Sequence, residues 1–188
     1  MMQQFKKESI SRIMVKILTA FKRVFSTTLY CYYVKSSRYQ FDEVIPIQVA
    51  SSICQLSDIK CDDYFLQIAI EKFKSGHRLF YCCDNGHLIA YGWLAECLTS
   101  YYAWEIANDI QFPQSVDVLC DFYVNPNYRR KGIYKSLLHF MINDCTEKKL
   151  LSIYAESTNV PSNKAIISCG FRFVSKLTHF SNKIKEKG

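Results

Sequence analysis

The sequence contains no two cysteines spaced Cys-x-x-Cys, although it has nine cysteines among 188 residues. Zinc ribbons and dithiol redox centres need close cysteine pairs, so no metal site is expected. No apolar run reaches about 18 residues, the length at which a helix can cross a bilayer. Internal repeats and low-complexity tracts are also missing, which excludes solenoids and linker-like chains. The N-terminal segment does not read as a cleavable leader. With an odd number of thiols scattered through apolar segments, this predicts reduced, mostly buried cysteines and a cytoplasmic location, with the inner membrane face as a peripheral alternative. Acidic residues are under-represented, 17 Asp and Glu against 24 Lys and Arg, leaving a formal charge of +7 that favours anionic partners. The basic residues gather at the two ends and at one internal junction. That distribution argues against nucleic acid.

With 49% hydrophobic and 22% charged residues, the chain suits one folded core. In residues 5–25, Ile10, Ile13, Met14, Ile17, Leu18, Phe21, Val24 and Phe25 recur at spacings of three and four, the signature of one apolar helix face. Lys6, Lys7, Arg12, Lys16, Lys22 and Arg23 occupy the other face. Two arrangements fit: a helix docked on the domain or on a partner subunit, for instance in a homodimer, or one lying on an anionic membrane. The expected organisation is a basic amphipathic helix over 1–27, a domain over 28–181 and a frayed tail over 182–188.

Within the domain, "TTLYCYYVKSS" reads as a strand. A helical pattern is expected from about Ile47 to Lys74. Two β-rich runs flank Asp84-Asn85-Gly86, where Asn-Gly suits a tight hairpin turn. "YYAWEIANDIQFPQ" reads as an irregular connection before a strand at Ser115–Val124. A helix from Ile133 to Cys145, a strand in "KKLLSIYAEST", a short helix at Ser162–Cys169 and a closing strand in "GFRFVSKLTHF" complete five or six strands. The fold class is α/β, a sheet of mixed strand directions flanked by helices.

The stretch "VDVLCDFYVNPNYRRKGIYKSLLHF" runs from an apolar strand through Asn-Pro-Asn into a helix. A helix start reached in this way presents unpaired backbone N–H groups that favour an anion. Arg129, Arg130 and Lys131 place positive charge where the helix dipole is already positive, which a phosphate would offset. Gly132, lacking Cβ, permits close backbone approach.

This junction resembles the GNAT superfamily of acyl-CoA-dependent N-acyltransferases, whose signature is a strand followed by Q/R-x-x-G-x-G/A. Arg129-Arg130-Lys131-Gly132-Ile133-Tyr134 fits it at every position but the last, where Tyr134 stands in place of Gly or Ala. Downstream, Asn159, Ser162 and Gly170-Phe171 are similar to the family's later motif. The resemblance implies a mostly antiparallel sheet in which the family's fourth and fifth strands splay apart. It implies acetyl-CoA as co-substrate, with pantetheine contacts at Phe122 and Val124, the pyrophosphate on amides from Arg130 to Tyr134, and Asn159 at the mouth of the split. The acceptor is then a primary amine of a small molecule. The junction and basic N-terminus look like those of relatives that modify amino sugars or other bacterial surface-polysaccharide precursors.

An attacking amine must lose a proton, so a carboxylate is needed nearby. Asp121 interrupts an apolar run, where a charge is costly unless paired or functional. It is the leading candidate, with Glu156 second and Glu96 third. Where many relatives carry a Tyr before Gly-Phe this chain has Ile166, which leaves Tyr134, Tyr123 and Ser162 as the hydroxyls at hand. The same substitution, with the bulk of Tyr134, also fits a CoA-binding module without catalysis.

Overall fold

Apolar side chains alternate along the strands and give one sheet two buried faces. The computed structural model describes residues 16–35, 44–145 and 149–184. Seven strands are present: β1 (Leu29–Lys35), β2 (Gln48–Ala50), β3 (Arg78–Asp84), β4 (His87–Ala103), β5 (Asn108–Val124), β6 (Leu150–Glu156) and β7 (Arg172–Leu177). Their order across the sheet is β2-β3-β4-β5-β6-β1-β7. Every neighbouring pair is antiparallel except β5 and β6.

Helix α1 covers described residues 16–26. The others are α2 (Asp63–Lys74), α3 (Ile133–Asp144) and α4 (Val160–Ser168). Along β5, Leu119 packs with Ile133, Leu137 and Met141 of α3 and Ile166 of α4. Its neighbours Val118 and Cys120 face the other way, towards Phe65 and Ala69 of α2. α2 starts where the Asp62 side chain accepts a hydrogen bond from the Phe65 N–H at 2.7 Å, and Lys72 and Lys74 in its last turn suit the dipole. The β3–β4 turn is the expected hairpin, with Asn85 and Gly86 at φ +50° and +76°.

Three expectations need correction. The stretch from Ile47 is not helical until Asp63: β2 and a 3-10 turn at Ile53–Leu56 come first, because Ser51 and Ser52 donate backbone N–H groups to Gln55 and tie off a separate turn. "YYAWEIANDIQFPQ" is not irregular but the far end of a long hairpin joining β4 to β5, closed by a turn at residues 104–107. The tail is anchored up to Ile184, which is buried and donates its N–H to the Gln111 carbonyl at 3.0 Å. Residues 185–188 lie outside the described residues, as do Ile10, Ile13 and Met14 of the N-terminal pattern.

β5 and β6 pair in parallel only at Asp117–Leu151, Val118–Ser152 and Leu119–Ile153. Beyond that point β5 stays with β4, Cys120 opposite Trp93 and Tyr123 opposite Tyr91, while β6 stays with β1, Tyr154 opposite Cys31. The cause is local. Asp121 adopts φ +49° at a register shift between β4 and β5, a bulge that turns the strand. β5 and β6 are therefore the splayed strands.

Candidate active site

The strand β5 ends at Val124, and the chain turns through a 3-10 segment, Pro126–Tyr128, before α3. Asn125 caps that turn by accepting from the Asn127 N–H at 3.0 Å. Arg129 donates from Nε to the Val124 carbonyl at 3.0 Å, so its side chain braces the turn. Lys131 rests its ammonium 4.8 Å from the centre of the Tyr128 ring, whose hydroxyl donates to Asp84.

Arg130 and Gly132 both have left-handed backbones, at φ +62° and +84°. Two such residues so close together curl the chain and gather successive amides into a concavity. Gly132 is the N-cap of α3, with no side-chain hydrogen bond to cap the helix, so the first amides are left to a ligand or to water. A Cβ on Gly132 would meet Val44 Cγ2 at 3.3 Å. The residues expected to hold a pyrophosphate, Arg130 to Tyr134, thus form an uncapped, concave helix start.

Beside it, in the gap between the splayed strands, lies a cavity of about 390 Å³. β5 contributes Cys120, Asp121 and Phe122, and β6 contributes Tyr154, Ala155 and Glu156. Tyr134, Asn159 and Ser162 form the wall towards α3 and α4, and Glu105 reaches in from the hairpin turn. Of the expected site residues, Asp121, Phe122, Tyr134, Glu156, Asn159 and Ser162 line this cavity, while Val124 and Arg129 to Ile133 belong to the adjoining strand end and helix start.

Each takes a definite role. Asp121 pairs with Lys72 at 2.5 Å, and Lys72 also lies 5.6 Å from the centre of the Trp93 ring. Glu156 pairs with Arg23 of α1 at 3.1 Å. The Asn159 side chain accepts from the Ser162 N–H at 3.2 Å and so caps α4. Asn163, buried behind it, donates to the carbonyls of Glu156 and Asn159 at 2.9 Å each and accepts from the Tyr32 hydroxyl at 2.8 Å. This ties the end of β6 to α4.

Tyr134 fills the position where the family pattern has Gly or Ala. Its ring meets Phe122 edge-on at 5.2 Å, and its hydroxyl accepts from Ser162 Oγ at 3.3 Å. Burial pushes its pKa up to about 12, so it stays a neutral hydrogen-bond donor. Cys120 is likewise pushed up to about 12 by burial, which leaves it a thiol. Ile166 is wholly buried in the core.

Glu96 is not at the cavity. It pairs with Arg78 at 3.1 Å, as does Asp144 at 2.6 Å, in a cluster that fastens β4 to α3. Trp93 is fully buried against Phe65 and Phe73 and is not among the residues lining this cavity. Sequence reasoning missed Glu105 and Tyr154. The signal for Glu105 was a lone carboxylate among the aromatic residues of "YYAWEIA".

The family model for the acetyltransferase (GNAT) family matches residues 47–171, more than half of the chain. The chain belongs to the GNAT family. Its fold is similar to a GNAT-family acetyltransferase from Colwellia psychrerythraea, with 20% identity and a TM-score of 0.53 over 80% of this chain and 54% of that one. A GNAT-family protein from Novosphingobium aromaticivorans gives 13% identity and a TM-score of 0.55 over 80% of this chain and 61% of that one. An aminoglycoside 6'-N-acetyltransferase from Acinetobacter haemolyticus gives 22% identity and a TM-score of 0.48, over 75% of this chain and all of that one. The chain therefore spans little more than half of the first two GNAT structures, and at these identities the likeness concerns the fold. No curated protein matches the sequence at a significant level.

Proposed function

We propose that the chain transfers an acetyl group from acetyl-CoA to a primary amine of a small acceptor, by direct attack while both are bound. The observation that carries this is the opening of β5 from β6 beyond Leu119–Ile153, with a cavity in the gap and an uncapped helix start next to it. The amides from Arg130 to Tyr134 would hold the pyrophosphate, and Phe122 and Val124 would flank the pantetheine arm. The bulged edge of β5 has left its partner strand, so its amides can stabilise charge developing on the thioester oxygen. The amine nitrogen forms the amide bond as the C–S bond breaks, the thiolate leaves, and a carboxylate takes the ammonium proton. Tyr134 stands on the cavity wall as a neutral hydroxyl able to donate to the departing sulfur while its oxygen accepts from Ser162 Oγ. The Cys120 thiol, un-ionised near neutral pH, disfavours an acyl-cysteine route. Asp121 and Glu156 face the amine's approach, each with a cationic partner.

The experiment is acetyl-CoA with a panel of amino sugars, alkylamines and polyamines, following thiol release. Calorimetric binding of acetyl-CoA with no turnover of any amine would replace this reading with the non-catalytic CoA-binding module.

A specific observation favours peripheral membrane contact by α1. Among the described residues, Ile17, Leu18 and Phe21 are 55%, 62% and 62% exposed, with Lys16 and Lys22 on the same helix, while its last turn docks, Phe25 lying against His179 and Phe180. Phe180 is itself 78% exposed, extending the apolar patch. A basic helix with a bare apolar face suits an anionic bilayer, and would bring the enzyme to a lipid-linked amino sugar.

A further inference from the structure

The three carboxylates on the cavity are not equivalent. Asp121 has Lys72 and Glu156 has Arg23. Glu105 has no cation within ion-pair distance among the described residues, and its Oε2 is buried without a hydrogen-bond partner there. The turn that carries it is rigidly held. Ile106 is fully buried, its carbonyl bonds to His179 Nδ1 at 2.9 Å, and Asn108 donates to the His179 carbonyl at 2.9 Å. Glu105 as a whole is half-buried, but burying one carboxylate oxygen without a partner is unfavourable. An arrangement of this kind is retained where something else supplies the missing donor.

We propose that Glu105 receives the acceptor's ammonium and takes its proton, and that the cavity therefore admits a cationic amine with no carboxylate beside it. This rests on the reading of the chain as an acetyl-CoA-dependent N-acetyltransferase and names its substrate class. The groups facing Glu105 come from several elements. Asp121 and Cys120 lie on β5, Glu156 and Tyr154 on β6, and Arg23 on α1. Two cations against three carboxylates leave the cavity one positive charge short, and an incoming ammonium supplies it. A carboxylate on the acceptor would instead add a fourth negative charge against the two cations.

Burial raises the pKa of Glu105 first of all. Its own backbone N–H works against this, Asp121 and Glu156 raise it further, and Arg23 lowers it. A carboxylate held above its ordinary range is better matched to an amine's proton than an ion-paired one. Tyr154, kept neutral by burial, gives the ammonium a phenol and a ring face alongside.

The test begins with the wild-type enzyme on amines paired with their amino-acid counterparts: tyramine with tyrosine, pentylamine with norleucine, and glucosamine as an amino sugar. Tyramine and pentylamine are each expected to exceed the paired amino acid by about 10- to 100-fold in kcat/KM, from like-charge repulsion across a partly desolvated site. Glu105→Gln, measured on the best acceptor, should lose about 100-fold in kcat/KM, together with the acid limb of the pH profile. The acetyl-CoA dissociation constant should not change, and Glu105→Asp should recover part of the loss. An amino acid as best acceptor, or a Glu105→Gln enzyme with wild-type kcat/KM and pH profile, overturns this assignment and leaves the acetyltransferase reading standing. Failure of the wild type on every amine overturns both.

Discussion

Replacing Gly132 with valine tests the cofactor cradle most directly. The residue sits at φ +84°, where an L side chain costs about 1–2 kcal/mol and a β-branched one more. The contact with Val44, 3.3 Å from the added Cβ, is secondary, because Val44 is 54% exposed and can give way. What decides the outcome is the backbone. Valine drives φ out of the left-handed region and swings the neighbouring amides off the concavity they share with Arg130. If two amide bonds to phosphate oxygens are lost, each worth about 1.5–3 kcal/mol, the acetyl-CoA dissociation constant rises by about 10²- to 10⁴-fold. Isothermal calorimetry reads this, with circular dichroism to show that α3 remains folded. An affinity within about threefold of wild type, in a folded protein, would place the pyrophosphate elsewhere and refute the cradle.

Gly92 lies under the Phe122 ring, and a Cβ there would stand 2.6 Å from Cδ1 of that ring. Gly92→Ala should cost about 1–3 kcal/mol by overpacking, read by urea unfolding, and a neutral result would mean that Phe122 turns aside freely. Glu105→Gln should stabilise the protein near neutral pH by about 1 kcal/mol, or about 2–4 °C in melting temperature, by removing a half-buried charge with one oxygen left without a partner. The sign follows from the raised pKa: the folded state holds the proton more tightly, so the wild type loses stability as pH climbs from its ordinary value of 4.5 through the folded value. The gap should shrink below pH 4.5, and a pH-independent gap would contradict it. Vesicles with anionic lipid should retain the intact chain and neutral ones should not, and a Phe21→Ser, Phe180→Ser double variant should be released. Failure of the intact chain to bind anionic vesicles removes the membrane reading.

Much of this was legible in the sequence where a local rule acts alone. Asn85-Gly86 could make only a tight turn, and Gly132 after three basic residues marked a helix start. Asp121 drew attention because a carboxylate inside an apolar strand needs a reason; its partner, Lys72, comes from a helix distant in sequence, so the pairing could not be read along the chain. The second half of the site was hidden for the same reason. Tyr101 to Gln114 shows no clean alternation, because the register shifts between Leu98 and Ser100 and the strand folds over the α2 face of the sheet. Glu105 acquires its significance only through that fold-back.

The position of β1 also bears on how the molecule is made. It is an early strand in the chain, yet it lies between β6 and β7, with Cys31 opposite Tyr154 on one side and Ser175 on the other. During synthesis it must wait, unpaired and with three Tyr among its seven residues, until the last third of the chain emerges. Contacts of such long sequence separation slow folding and prolong the exposure of a sticky segment. β6 is positioned by β1 at the very stretch where it has left β5. The cleft that would carry out the chemistry is thus completed only when the two ends of the domain meet, and a chain stalled before α4 has no means of closing it.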